Sequence, residues 1–388
     1  MEQGTLTVFL SGRIDSSNSE NVKKELMDLV AAEKPNALVF DCDDLQYISS
    51  AGLRVVLTFK KQYPSLELVN VGSEVYEILD VTGFAEMMTV KKAYKRVSVD
   101  GCEVIGTGAN GLVYRLDPDT IVKVYRNPDS LEEIKKEREL ARKAFVMGIP
   151  TAIPYDIVRV GNSYGSVFEL LNAKSFLKLL KADPSRIDEL VNKSVEILKI
   201  MHGTEVEAGV LPEEKAVALR WLDSVKDILP ERTYTKLGQL LRALSDRRTI
   251  LHGDYHFKNI MMQNDEAWLI DMDTLCSGDP IFEFAFIYNA YVGFGAYDET
   301  VVTDFLGIPM DLAKSVWKKT VKAYTGVTDD EAFLRIERKA KIIGYLRLVR
   351  RYITRGLLNE EKNVQAHKFF LKELIDCVDQ TDSLSIDA

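Results

Sequence analysis

The chain has 388 residues, 46% hydrophobic and 28% charged, with a net charge of −9, enough for two or three domains with ordinary cores and a poor match to nucleic acid. Its four cysteines, Cys42, Cys102, Cys276 and Cys377, lie far apart without Cys-x-x-Cys or Cys/His pairing, which argues against a zinc site or a disulfide framework. No apolar run reaches membrane-spanning length and the N-terminus lacks a signal-peptide pattern, so a cytoplasmic protein with no membrane partner is expected.

Residues 5–10 and 37–42 have strand composition, and between them residues 19–33 place Val22, Leu26, Leu29 and Val30 at helical spacing. Ser16, Ser17 and Asn18 are the cap candidates. A helix through Val55, Val56 and Phe59, a strand at 66–71, a short helix at 75–82 and a last strand at 88–90 complete a small α/β domain over residues 1–92. The turn Ile48-Ser49-Ser50-Ala51-Gly52-Leu53 sets two hydroxyls at a helix start. Such hydroxyls most often cap the helix, and the same place favours a phosphate carried on Ser. This stretch, with Leu10-Ser11-Gly12-Arg13-Ile14-Asp15 and the strand at 38–41, resembles the STAS domain of anti-sigma-factor antagonists. The resemblance implies that Ser50 stands at the phosphorylated position and that the domain meets a regulatory protein partner. Ser49 replaces the usual Asp, and Ala51 the second Ser.

Residues 91–96, KKAYKR, form a basic junction with no Gly/Pro/Ser linker, expected to be a solvated face or to dock on the acids Asp41, Asp43 and Asp44. From residue 98 the pattern turns to hairpins. Gly106, Gly108 and Gly111 punctuate a turn between strands, and residues 120–125 form a strand with Lys123 in its middle. Small residues let backbone approach phosphates. A Lys in an apolar strand needs an anionic partner. Residues 130–147 read as a helix with Ser130 as its cap, and Glu137 on its apolar face is the expected partner of Lys123, ahead of Glu133 and Glu139. After a hairpin over 154–171, Glu169 and Leu171 occupy the stretch where a kinase hinge meets adenine through backbone groups.

Beyond residue 173 the chain is mainly helical, with helices expected near 175–181, 185–203, 212–228, 233–246, 280–294, 298–306, 309–325, 329–357 and 361–379 and a frayed tail at 381–388. Inside this region lies His252-Gly253-Asp254-Tyr255-His256-Phe257-Lys258-Asn259, then Leu269-Ile270-Asp271-Met272-Asp273. An Asp, an Asn five residues on and an apolar strand ending in Asp have the spacing of a phosphoryl-transfer site: Asp254 as base, Asn259 and Asp271 as Mg²⁺ ligands.

With these motifs and Gly278-Asp279-Pro280, residues 98–388 resemble the aminoglycoside phosphotransferase/choline kinase superfamily. Protein Ser/Thr kinases carry Lys where this chain has His256. The expected fold class is thus a small α/β STAS-like domain followed by a bilobal, protein-kinase-like α+β phosphotransferase domain, with an N-lobe over 98–172 and a C-lobe over 173–388. The resemblance implies Lys123 on the phosphates of ATP, or GTP in its place, with Mg²⁺. Three functions compete. The first is a phosphotransferase acting on a small-molecule hydroxyl of an amino alcohol, sugar or aminoglycoside-like compound. Glu283 and Asp279, with Tyr288, Tyr291 and Phe294, would suit a cationic acceptor, although core packing explains the aromatics equally well and Asp279 more often caps the following helix than does chemistry. The second is a protein kinase or autokinase acting on Ser50. The third is a non-enzymatic nucleotide sensor.

Overall fold

The computed structural model describes residues 4–108 and 111–386, so Ala109 and Asn110 of the Gly-rich turn lie outside it. The chain divides into two compact units, Met1–Asp100 with Ile157–Tyr164, and Gly101–Asp156 with Gly165–Ala388.

The first unit runs β1 (Thr5–Ile14), α1 (Ser19–Glu33), β2 (Ala37–Ile48), α2 (Ser50–Gln62), β3 (Glu67–Val71), α3 (Ser73–Val81), α4 (Phe84–Met87), β4 (Thr89–Lys92) and β5 (Lys95–Arg96). Strands β1 to β4 pair in parallel in sequence order, which requires the intervening helices as crossovers. Leu38, Phe40, Phe59 and Leu68 are fully buried, and Phe40 meets Phe59 edge-on at 5.7 Å. β1 and β2 outrun their apolar segments: pairing continues past the exposed Asp43 through a register shift that sets Ser11 beside Asp44. The basic junction is partly strand. Lys91 pairs with Glu67 at 2.7 Å and Arg96 pairs with Asp43. Ser49 is the cap of α2, its Oγ accepting the Ala51 N–H at 3.2 Å, while Ser50 is exposed in the first turn.

In the second unit β6 (Val104–Thr107), β7 (Gly111–Arg115) and β8 (Thr120–Tyr125) form an antiparallel run, followed by α5 (Leu131–Val146); the hairpin of β9 (Pro154–Val160) and β10 (Ser163–Glu169) comes next, its residues 157–164 counted with the first unit. β10 returns antiparallel to β8, opposing Ser166 to Lys123. Ser130 stands at the N-cap of α5 as expected, but its hydroxyl makes no side-chain cap bond and donates back to the Asn127 carbonyl at 2.7 Å.

The helical part comprises α6 (Phe176–Ala182), α7 (Ile187–Gly203), α8 (Glu214–Ser224), α9 (Glu231–Ala243), α10 (Pro280–Tyr291), α11 (Thr300–Leu306), α12 (Met310–Thr325), α13 (Asp330–Thr354) and α14 (Glu361–Asp379). Short strands β11 (Lys174–Ser175), β12 (Thr249–Leu251), β13 (Ile260–Gln263), β14 (Glu266–Leu269) and β15 (Cys276–Gly278) interrupt it. β13 and β14 make a hairpin, and β12 pairs antiparallel with β15, which holds residues 251 and 276 side by side. Every residue of α10 is buried, as expected of a helix that is apolar all round, and α12 and α13 pack on it. The expected frayed tail is ordered over its described part: Thr381 and Leu384 are buried, and Lys339 donates to the Ser385 carbonyl. Apolar Leu384 among the 381–386 residues supplies the burial that composition alone concealed.

Phe40→Ala removes the centre of the first unit's core and is expected to lower unfolding free energy by about 3–5 kcal/mol, read as a reduced urea midpoint.

Candidate active site

Lys123 points from the middle of β8 to two carboxylates. Its Nζ donates to Glu137 Oε1 on α5 and to Asp271 Oδ1 just past β14, both at 2.8 Å. Glu137 is buried, and its second oxygen accepts the Tyr125 hydroxyl. Burial works against the Lys123 ammonium, but Asp271 and Glu137 outweigh it and raise its pKa above the ordinary lysine value. Glu133 and Glu139 do not pair with it; Glu139 lies 3.7 Å from Lys143.

Beside this group is a cavity of about 270 Å³, lined by Gly106, Gly108 and Gly111, by apolar Ile105, Val113 and Ile121, and by Glu169, Leu170 and Leu171. The glycines serve different ends. A Cβ on Gly111 would sit 2.1 Å from the Val124 carbonyl oxygen, so this glycine lets β7 lie close on β8. A Cβ on Gly108 would meet nothing closer than 3.8 Å. The Glu169 and Leu170 N–H groups are committed to the Ile153 and Asp119 carbonyls, whereas the Leu171 N–H has no acceptor among the described residues. A larger groove of about 500 Å³ between Phe145 and Trp268 carries a Lys193–Asp265 pair instead of these groups.

The loop after β12 is built on buried contacts. Glu283, in the first turn of α10, accepts the His252 N–H at 2.5 Å and the Gly253 N–H at 3.2 Å. His252 is fully buried; its Nε2 lies 3.1 Å from the Ile270 carbonyl and its Nδ1 accepts the Asp254 N–H. A neutral imidazole protonated on Nε2 satisfies both bonds, and burial lowers its pKa accordingly. Gly253 has φ +81°, and a Cβ there would lie 2.4 Å from the Thr274 carbonyl oxygen. Asn259 Nδ2 donates to the Asp254 carbonyl at 3.0 Å, and His256 Nε2 lies 3.4 Å from Asp254 Oδ2. Burial alone would raise the pKa of Asp254. The hydrogen bond from His256 leads the contributions that bring it down to about 2.

Lys123, Glu137, Asp254, Asn259 and Asp271 therefore belong to one unit and come together through the loop 252–259 and the β13–β14 hairpin. Of the two acids offered to a cationic acceptor, Glu283 is spent on backbone N–H groups, and Asp279 has the capping role expected of it. Asp279 caps α10 through the Ile281 N–H at 3.0 Å, Glu283 is fully buried, and Tyr288 and Tyr291 are core. The sequence did carry a signal for Glu283: a lone carboxylate in an otherwise apolar helix start must find buried donors.

The donor set suits a hard divalent cation. Asn259 commits its amide nitrogen to Asp254, leaving its oxygen, and Asp271 offers a carboxylate, two protein oxygens of the kind Mg²⁺ takes alongside substrate phosphates. Burial, then Asp271 and Glu137, push Asp273 up to about 7, a carboxylate excess that one Lys123 does not balance. Among the described residues no group of three His, Cys, Asp or Glu side chains forms a closed metal site.

A sheet carrying a paired Lys, a helix supplying its Glu, and a C-lobe loop with Asp254 and Asn259 define a kinase-like phosphotransferase. The chain belongs to the Phosphotransferase enzyme family (APH), whose model matches residues 101–309, and a STAS domain matches residues 2–97. The first unit is 35% identical over 91 residues to a protein described as an anti-sigma factor antagonist, BtrV, of Bordetella bronchiseptica, covering 22% of this chain and 78% of that protein. It is 25% identical over 92 residues to the anti-sigma F factor antagonist of Paenibacillus polymyxa, covering 23% and 79%. Among solved structures, the aminoglycoside phosphotransferase APH(2'')-Ib with ADP matches with a TM-score of 0.49 and 15% identity, covering 71% of this chain and 93% of that one. A choline/ethanolamine kinase family protein from Mesorhizobium loti matches with a TM-score of 0.44 and 15% identity, covering 72% and 92%. No helix among the described residues is long and apolar enough to cross a membrane.

Complete burial outweighs the two N–H donors and pushes the Glu283 carboxyl up to about 8. A raised folded pKa contributes stability that is present at low pH and lost as pH rises from the ordinary carboxylate range through about 8. Wild-type urea midpoints should therefore fall between pH 5 and pH 8 by more than those of Glu283→Gln, which has no proton to lose.

Proposed function

We propose that the enzyme transfers the γ-phosphate of ATP, in the presence of Mg²⁺, to the hydroxyl of a small molecule. The observation that carries this reading is the Lys123 ammonium 2.8 Å from both Glu137 and Asp271, at the edge of a glycine-lined cavity. Lys123 holds the α- and β-phosphates, the free Leu171 N–H meets the adenine ring, and Ile105, Val113 and Ile121 cover its faces. Asn259 and Asp271 would hold Mg²⁺, which when bound neutralises charge on the phosphates. Asp254, ionised at neutral pH, orients the acceptor hydroxyl and takes its proton. The acceptor oxygen forms its bond to the γ-phosphorus as the bond to the β-phosphate oxygen breaks, and ADP leaves with that electron pair. His256 and Asn259 hold the base in place.

One further observation favours a second reading. Ser49, not Ser50, caps α2, so the Ser50 hydroxyl is exposed and has no hydrogen-bond partner among the described residues. Under this reading the acceptor is Ser50, and the first unit is a regulatory module that meets a protein partner, as the names of its relatives suggest.

Asp254→Ala is expected to lower phosphoryl transfer by about 10²–10⁴-fold while ADP binding, measured calorimetrically, persists. With γ-labelled ATP, the small-molecule reading expects turnover stimulated by added alcohols and no label on the protein. Label that depends on Asp254 and disappears in Ser50→Ala would replace it with the second reading.

A further inference from the structure

We propose that Arg96 and Arg159, both in the first unit, form a binding site for the oxyanion group of a small molecule, a phosphate or a carboxylate, apart from the nucleotide cavity. The proposal does not rest on the phosphotransferase reading.

β5 pairs in parallel with β9, and the register sets Arg96 directly beside Arg159. Neighbouring strands lie about 4.8 Å apart, so matched positions carry their side chains on one face. Like charges placed side by side on a sheet repel. The adjoining position avoids this, with Lys95 beside Val158. Arg96 finds a counter-charge in Asp43. Arg159 does not: among the described residues no carboxylate lies within ion-pair distance of it. Its one protein acceptor is the Tyr164 hydroxyl, 3.3 Å from Nη1, and its Nε is enclosed without a partner. The Tyr164 ring centre lies 5.3 Å from the guanidinium carbon, and Tyr94 meets Tyr164 edge-on at 5.4 Å. These contacts orient the guanidinium without neutralising it. A fixed, uncompensated guanidinium fork is suited to recognising carboxylate or phosphate.

Both arginines line one cavity of about 580 Å³, and every residue of its lining belongs to the first unit. This is the size of a small-molecule site. None of its residues lines the cavity proposed for the nucleotide. Ser98 and Val99, on the same wall, keep backbone N–H groups without an acceptor among the described residues, and successive free N–H groups favour an anion. The Val97 N–H donates to the Arg159 carbonyl at 2.9 Å, which ties this segment to β9 and holds the two sides of the site together. Asp100 is the single carboxylate of the lining. It lies beyond ion-pair distance of both arginines and accepts the Ser98 hydroxyl at 2.9 Å, so it is not their counter-ion. The charge that the protein leaves unbalanced at Arg159 is the one an oxyanion would supply.

The test titrates the full chain calorimetrically with inorganic phosphate, with glycerol 3-phosphate and with citrate, at constant ionic strength in a chloride buffer. The expected result is that at least one of the three binds, that Arg159→Gln weakens it about tenfold or more, and that Lys123→Gln, which alters only the nucleotide cavity, does not. Binding of the two phosphates without citrate selects a phosphate ligand, and binding of citrate alone a carboxylate; either supports the site. Near-UV circular dichroism reports the folding of each variant. Should Arg159→Gln not fold, Arg159→Lys is read instead, where the charge remains, the fork is lost and weaker binding is expected. No binding of any of the three by the wild type, or affinity unchanged in the Arg159 variant, overturns the proposal. Binding lost in Lys123→Gln but kept in the Arg159 variant places the anion in the nucleotide cavity and overturns it equally.

Discussion

One ammonium group joins three elements that sequence keeps far apart. Lys123 on β8 reaches Glu137 on α5 and Asp271 beyond β14, and each partner is necessary because a half-buried cation without them would be driven to lose its proton. The pair with Glu137 is further pinned by Tyr125, so one buried carboxylate on the helix holds two side chains of a single strand. Taking these charges from water is costly, and the gain lies in fixed position more than in stability. A nucleotide arriving beside Lys123 would replace one of its contacts while the other continued to aim it.

Much of this site is legible in the sequence because it is local. The strand at 120–125 shows its Lys, the helix after it shows which Glu shares the apolar face, and Asp254 and Asn259 sit on one short loop. What sequence does not show is how distant pieces are spent. Asp271 reads as a metal ligand, and its bond to Lys123, 148 residues away, has no local signature. Glu283 and Asp279 read as an acidic lining, yet both face inward to satisfy backbone N–H groups that a motif search does not count. β12 and β15 are three residues each, too short for periodicity, and they exist because they pair with each other. The segment at 381–386 shows the opposite limit: polar composition predicts fraying, and one buried Leu384 decides otherwise.

Net charge is equally coarse. A chain at −9 still carries the basic run at 91–96, where Lys91 pairs with Glu67 and Arg96 with Asp43. In the first unit the division of labour between neighbouring serines has the same character. A turn with two hydroxyls looks redundant, but one closes the helix and the other is left exposed.

Asp271 sits at φ +63°, in the left-handed region that few side chains other than Asn, Asp and Gly enter cheaply. This narrows what the position tolerates independently of any catalytic role. An alanine there would add backbone strain to the loss of a carboxylate, and a loss of activity would then have two causes. Asn keeps the backbone and removes only the charge, which makes it the clean substitution for dissecting the site. It is also the change that would separate what the carboxylate does from what the left-handed turn requires.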